Sequence, residues 1–257
     1  MFFIRSWLGT IWIYFWIGFG VVATCVFGWF VPQKWVVFFW NRLLLRIALW
    51  GLRVFGGIEI EVRGRQYIDQ ERAVYASKHE SALETYAMTT IITRGVMILK
   101  KELTYIPFFG WAQWLYGLIP VDRGAGARAM KKMLAAAKKR VEEKRPIIIF
   151  PEGHRMKPGT TQKYKPGFLF MAQNLKLPVI PVALNTGMFW PRSSTRHFPG
   201  KVIVEFMEPM MSGDDKNAFI EELQAKIEAK CAELNAETVK NYPYTAVNLA
   251  AEKEKKA

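Results

Sequence analysis

Acidic residues are few in this chain. Against 36 lysines and arginines stand 22 aspartates and glutamates, which leaves a formal net charge of +14 over 257 residues. That balance excludes an acidic, solvating chain and points to an anionic partner: nucleic acid, a membrane surface or a phosphorylated substrate. Only two cysteines occur, Cys25 and Cys231. Two cysteines so far apart form neither a disulfide framework nor a metal spacing, and they suit a reducing compartment. Histidine is equally sparse, at three residues. Neither a metal ion nor a resident cofactor is therefore expected. There is no internal repeat, no low-complexity linker and no recognisable nucleic-acid-binding motif. Of the anionic partners, the membrane and the phosphorylated substrate remain, and nucleic acid is not expected.

Charge itself is missing from Ser6 to Gln33. The run exceeds the roughly 20 residues that span a bilayer core. It is too long for a signal-peptide core, and no small-residue cleavage site follows it. The next stretch, Trp35 to Gly57, differs: Arg42, Arg46 and Arg53 share one face of a helix, and Leu43, Leu44, Ile47, Leu49, Trp50 and Val54 cover most of the rest. That pattern reads as an interfacial helix with snorkelling arginines. Only Arg5 precedes the apolar run, whereas Lys34, Arg42, Arg46 and Arg53 follow it. A spanning first helix would leave the body of the protein in the cytosol. A hairpin in one leaflet would equally leave the body beside a membrane, and the sequence does not separate the two.

Beyond Gly57 short β-branched runs alternate with helical patterns. Strands are expected at Ile58–Val62, Ala73–Ala76, Val96–Leu99, Ile119–Val121, Ile147–Phe150, Val179–Ala183 and Lys201–Met207. Helices are expected at Ser81–Thr93, Phe108–Tyr116, Ala127–Glu143, Gly167–Asn174 and near Asp214–Val239. Such alternation predicts one α/β sandwich domain. The expected organisation is membrane-associated helices over 1–57, a catalytic domain over 58–245 and a charged, flexible tail over 246–257.

Two short stretches carry chemistry. Lys78-His79-Glu80-Ser81-Ala82-Leu83-Glu84 sets an imidazole five positions before a carboxylate. Phe150-Pro151-Glu152-Gly153-His154-Arg155 sets a carboxylate and a guanidinium around a glycine, after a buried strand. In a regular helix residues five apart point about 140° apart. His79 and Glu84 can meet only if His79 lies in the loop before the helix. Ser81 would be the N-cap of that helix, so Ser81 and Glu84 also fit a capping box. As a dyad, Glu84 would hold one imidazole nitrogen and leave the other as base. Arg155 beside them would clamp an anion. A base, an orienting acid and a cationic clamp suit acyl transfer to a phosphate-bearing alcohol.

These residues resemble the lysophosphatidic acid acyltransferase (1-acyl-sn-glycerol-3-phosphate acyltransferase) family, whose members share four blocks in order. The first is Asn-His-x-x-x-x-Asp, matched here by His79 with Lys78 and Glu84 at the outer positions. The second is matched by Gly117 to Asp122-Arg123, preceded by Lys100-Lys101-Glu102-Leu103. The third, Phe-Pro-Glu-Gly-Thr-Arg, is matched from Phe150 to Arg155 with His154 for threonine. The fourth is the apolar run Pro178-Val179-Ile180-Pro181-Val182. The resemblance covers roughly residues 58–210, and residues 7–57 resemble the two-helix membrane motif common in that family. It implies a single glycerolipid-acyltransferase-type α/β sandwich with that motif at its N-terminus. It implies His79 as base and Glu84 as its orienter. Arg123 and Arg155 would bind phosphate, with Glu152, Gly153, Ser81, Lys100 and Lys101 as further substrate-binding groups. The co-substrate would be acyl-CoA or acyl-acyl carrier protein, the acceptor lysophosphatidic acid and the location the cytosolic face of a bacterial inner membrane. Another lysolipid acceptor, or a catalytically inactive membrane scaffold, are the readings that compete with it. Of the aromatics, Tyr105–Tyr116 would wall an acyl-chain groove, dip into lipid or pack in the core, and Phe189 and Trp190 would form a membrane-touching loop.

Overall fold

The computed structural model describes residues 2–69, 71–122, 124–192 and 194–250, with only the backbone of Phe2. The N-terminal helices are α1 (Phe2–Phe27) and α2 (Gln33–Gly56), the second interrupted by two π-helical segments, Phe39–Leu44 and Leu52–Gly56. The remaining elements run β1 (Ile58–Arg63), β2 (Val74–Ser77), α3 (Leu83–Ile91), β3 (Val96–Lys100), α4 (Phe109–Tyr116), β4 (Ile119–Val121) and α5 (Gly126–Glu142). They continue with β5 (Ile147–Ile149), α6 (Gly167–Leu175), β6 (Val179–Leu184), α7 (Thr186–Phe189), β7 (Gly200–Phe206) and α8 (Lys216–Asn241).

The strands form one sheet in the order β1-β7-β6-β2-β5-β3-β4, parallel except where β6 meets β7. Parallel strands bury both faces, and β2 shows it: all four of its residues are buried. Val74 and Ala76 turn to one side, where Met133 of α5, Phe168 of α6 and Leu223 and Ile227 of α8 cover them. Tyr75 turns to the other, against Met88 of α3 and Phe206 of β7. The predicted sandwich is therefore present, with β5, β2 and β6 side by side at its centre. Their carboxyl ends open where open α/β sheets bind ligands.

The N-terminal helices pack against the rest of the chain. Ile13 of α1 and Ala48 and Leu52 of α2 are buried in one cluster with Ile58, Leu83 and Met188. Gly51 makes the helix contact possible, since a Cβ there would stand 1.9 Å from Trp12 Nε1. The indole instead donates to the Ile47 carbonyl at 3.0 Å. Buried Asn41 of α2 donates to the Thr93 carbonyl and accepts from the Tyr116 hydroxyl at 3.1 Å. Arg42, Arg46 and Arg53 are exposed on the opposite face, as their spacing predicts.

Three further expectations change. Helix α3 begins at Leu83, two residues after Ser81. The segment after β6 turns into α7, too short for periodicity to reveal, and there Phe189 and Trp190 are buried in the core rather than offered to a membrane. Residues 246–250 are docked: the Ala250 N–H donates to the Pro158 carbonyl at 2.9 Å and Asn248 Nδ2 to the Met188 carbonyl at 2.7 Å. Residues 251–257 of the expected tail lie outside the described residues.

Candidate active site

Strand β2 ends at Ser77, and the chain leaves the sheet through Lys78, His79 and Glu80 before α3 begins. Four contacts fix His79. Its Nδ1 lies 2.7 Å from Glu84 Oε1. Its main-chain N–H donates to Glu152 Oε2 at 2.8 Å. Its carbonyl accepts from Met156 N–H at 2.7 Å. Its ring stacks on Phe150 with centroids 4.0 Å apart. The first and third sequence blocks are thus joined, because β5 lies beside β2. The side chain keeps 14% of its surface exposed.

Glu84 is fully buried and saturated. Oε1 accepts from His79 Nδ1 and from the N–H groups of Glu80 at 2.8 Å and Ser81 at 2.7 Å. Oε2 accepts from the Thr186 hydroxyl at 2.7 Å. A carboxylate only accepts, so Nδ1 carries the proton and Nε2 holds the lone pair. Nε2 has no hydrogen-bond partner among the described residues. One carboxylate thus both accepts from the N–H groups ahead of the helix and holds the His79 ring. Ser81 is different: its buried Oγ accepts from the Leu83 N–H at 3.2 Å, just before the helix.

Glu152 also departs from expectation. It is buried, and its Oε1 forms an ion pair with Lys78 Nζ at 2.8 Å while Oε2 holds the His79 main chain. Both of its oxygens thus face protein groups. Burial pushes its carboxyl up to about 7 against the pull of Lys78. Neighbouring Glu80 is driven by burial to about 8, again opposed by Lys78, and it accepts from Gly187 N–H at 3.1 Å. Lys78 itself stays charged: burial works against the ammonium, and the carboxylates of Glu152, Glu228 and Glu80 outweigh it.

Gly153 has φ +82°, in the left-handed region that glycine enters freely. Its N–H closes the turn on the Phe150 carbonyl at 3.0 Å. Two residues later Arg155 is half-buried, one position before the Met156 that bonds His79. Its charge lowers the tendency of the Tyr86 hydroxyl, raised by burial, to hold its proton. No carboxylate pairs with Arg155 among the described residues. Lys100 and Lys101 are exposed and pair with Glu102 at 3.4 Å and Asp122 at 3.3 Å. No hydrogen bond or ion pair joins either lysine to the His79 cluster among the described residues. Arg123 lies outside the described residues. Lys78, Thr186 and Glu228 escaped the sequence reading as site residues; for Lys78 the signal was the charge standing next to His79, where the resemblance puts asparagine.

The imidazole thus stands on a loop above an α/β sheet, held by a buried carboxylate, and the Acyltransferase family matches residues 59–185. The chain is 35% identical over 208 residues to a 1-acyl-sn-glycerol-3-phosphate acyltransferase of Pseudomonas aeruginosa, covering 81% of this chain and 77% of that one. A Cocos nucifera protein of that name is 30% identical, covering 66% of this chain and 54% of its own, so this chain spans about half that relative's length. The 1-acyl-sn-glycerophosphate (LPA) acyltransferase PlsC from Thermotoga maritima superposes with a TM-score of 0.74 at 21% identity, over 92% of this chain and 98% of that one. The solved structure bears on the fold alone. The chain is thus an acyltransferase. It belongs to the 1-acyl-sn-glycerol-3-phosphate acyltransferase family.

Proposed function

We propose that the protein transfers an acyl chain from a thioester donor to the free sn-2 hydroxyl of lysophosphatidic acid, giving phosphatidic acid. The observation that carries this reading is the His79 imidazole, whose Nδ1 is held by Glu84 and whose Nε2 meets no partner among the described residues, with Arg155 one position before the Met156 that bonds its carbonyl. Nε2 removes the hydroxyl proton as the oxygen attacks the thioester carbonyl. The tetrahedral intermediate then expels the thiolate, which takes the proton back from the imidazolium. Glu84 stabilises that imidazolium, and base catalysis of this kind contributes about 10²–10⁴ in rate. Arg155 binds the acceptor phosphate through its planar fork, with Arg123 as its partner. No acyl-enzyme is needed, since both substrates meet at the same base. The donor is acyl-CoA or acyl-acyl carrier protein.

The lipid substrate sits in a bilayer, and the chain carries the means to meet it. Ile4, Ile11, Phe15, Val22 and Val26 line an exposed stripe of α1. Phe30, Phe108, Trp111 and Trp114 extend it, and Trp29 lies 5.4 Å from Trp114. Helix α1 is tied to the domain at both ends, by Thr10 Oγ1 to the Thr195 carbonyl at 2.9 Å and by Cys25 Sγ to the Phe108 carbonyl at 3.1 Å. A spanning helix of its length would carry one end about 39 Å from the domain. The reading is therefore a helix lying in one leaflet with the body on the cytosolic face, where thioester donors are. The experiment is thiol release from acyl-CoA by detergent-purified protein, with and without lysophosphatidic acid, against His79→Ala. Acceptor-dependent release by wild type alone supports the reading; release by neither, repeated with acyl-acyl carrier protein, sinks it.

A further inference from the structure

We propose that Lys78 and Glu228 are a positioning pair for the catalytic base, which makes the C-terminal helix α8 a working part of the site. The inference rests on His79 being the base of the proposed acyl transfer. Lys78 is 1% exposed, and its ammonium reaches four oxygens of three residues. Nζ lies 2.8 Å from Glu152 Oε1, 2.8 Å from both carboxylate oxygens of Glu228 and 2.8 Å from the Thr160 carbonyl. Its three donors serve Thr160 and the two Glu228 oxygens, and Glu152 is held as an ion pair. The Tyr164 hydroxyl donates to Glu228 Oε1 at 3.1 Å and steadies that carboxylate.

A continuous path follows from α8 to the base: Glu228 holds Lys78, Lys78 holds Glu152, and Glu152 holds the main-chain N–H of His79. The stack on Phe150 and the bond to Glu84 set the ring's plane, but the main-chain anchor sets where the ring stands. A charged lysine cannot be buried there alone, because an unpaired ammonium costs far more than its packing returns. Glu228, with Glu152, is what makes lysine tolerable at position 78. The asparagine that the resemblance places there carries no charge and would need no such partner. Glu228 also lies beyond residues 59–185, the part matched by the family.

Removing the ammonium leaves Glu152 and Glu228 facing each other across a buried gap. Glu152 then turns or takes a proton, and the His79 main chain follows. A displacement of about 1 Å at a catalytic group costs about 10² in rate. The substrate-binding Arg155 is not on this path, so the loss belongs in kcat and not in KM.

The test uses full-length protein in detergent, with Glu228→Gln, Lys78→Met, Lys78→Asn and the double variant Lys78→Asn/Glu228→Gln. Thiol release gives kcat and KM for lysophosphatidic acid. Histidine-labelled NMR reads the Nδ1 proton of His79, assigned by its loss in His79→Ala. Glu228 is 23% exposed and its substitution is compatible with folding, so it decides the matter even if Lys78→Met does not fold. The expected result is a fall in kcat of about tenfold for Glu228→Gln and about 10² for Lys78→Met, with KM within twofold and a displaced Nδ1 resonance. The double variant should regain at least about tenfold over Lys78→Asn, because it strands one carboxylate fewer. Wild-type kcat and an unmoved resonance in Glu228→Gln, or a lower melting temperature with kcat intact, would overturn the proposal and leave the pair as a structural tie. Should wild type itself release no thiol with lysophosphatidic acid, the acyl-transfer reading fails, while the resonance still decides the positioning.

Discussion

Replacing Glu84 with glutamine removes one charge from the site and keeps nearly every hydrogen bond. Three donors converge on Oε1: His79 Nδ1, Glu80 N–H and Ser81 N–H. Only an oxygen can sit there, so the glutamine carbonyl takes that place and its NH₂ faces Thr186. The threonine hydroxyl then turns from donor to acceptor. Nδ1 keeps its proton, and Nε2 stays a base. This differs from an asparagine at the aspartate of a Ser-His-Asp triad, where the wrong tautomer costs about 10⁴. What disappears is the attraction between the carboxylate and the imidazolium formed during the reaction. For charges about 4 Å apart at an effective dielectric near 20 that attraction is about 4 kcal/mol, an upper bound. A loss of about 3 kcal/mol corresponds to a rate about 10² lower. The fold should hold: a charge-assisted bond weakens, but Glu80, whose carboxyl is pushed up partly by Glu84, is relieved of a like charge. The assay is thiol release at saturating donor, beside a thermal melt expected to move by no more than about 4 °C. An unchanged rate would reduce Glu84 to a helix cap. A loss of about 10⁴ with an intact melt would refute the argument that the two backbone N–H groups protect the tautomer.

Three further outcomes are expected. Thr186→Val strips Glu84 Oε2 of its only donor among the described residues, which should cost about 1–3 kcal/mol in stability and lower turnover about tenfold, with Thr186→Ser restoring both; a silent valine would remove Thr186 from the site. Arg155→Ala should raise KM for lysophosphatidic acid about 10- to 100-fold, the equivalent of one or two charge-assisted hydrogen bonds, and an equal loss with a phosphate-free acceptor would end its role as the phosphate clamp. Glu80→Gln should stabilise the protein increasingly as pH rises. Burial lifts the Glu80 carboxyl from 4.5 to about 8, so between those values the folded state holds a proton that the unfolded chain has released. Wild type therefore loses stability through that window and stays lower above it, by roughly 5 kcal/mol at the limit. Melting curves of the two proteins should coincide near the lower end of the window and diverge toward the upper; a constant difference would refute the assignment.

Residue order by itself determined the α/β class, most strand and helix positions, the apolar N-terminal helices and the His79–Glu84 pair. Each rests on local chemistry: β-branched runs, helical periodicity, missing charge, and a spacing that obliges His79 to precede its helix. The tertiary structure alone decided which distant groups meet that pair. Thr186 reaches Glu84 only because β6 lies beside β2, and Glu152 reaches the His79 N–H only because β5 lies on the other side. Glu228 stands 150 residues from Lys78 on a helix whose amphipathic pattern marks it as an ordinary covering helix. The burial of Phe189 and Trp190, and the docking of residues 246–250, were equally hidden. An aromatic pair beside arginines, or a short polar tail, has the same local signature on a membrane-facing loop as in a packed turn. Burial is a property of what the rest of the chain places around a residue, and strand order, which periodicity does not encode, decides that.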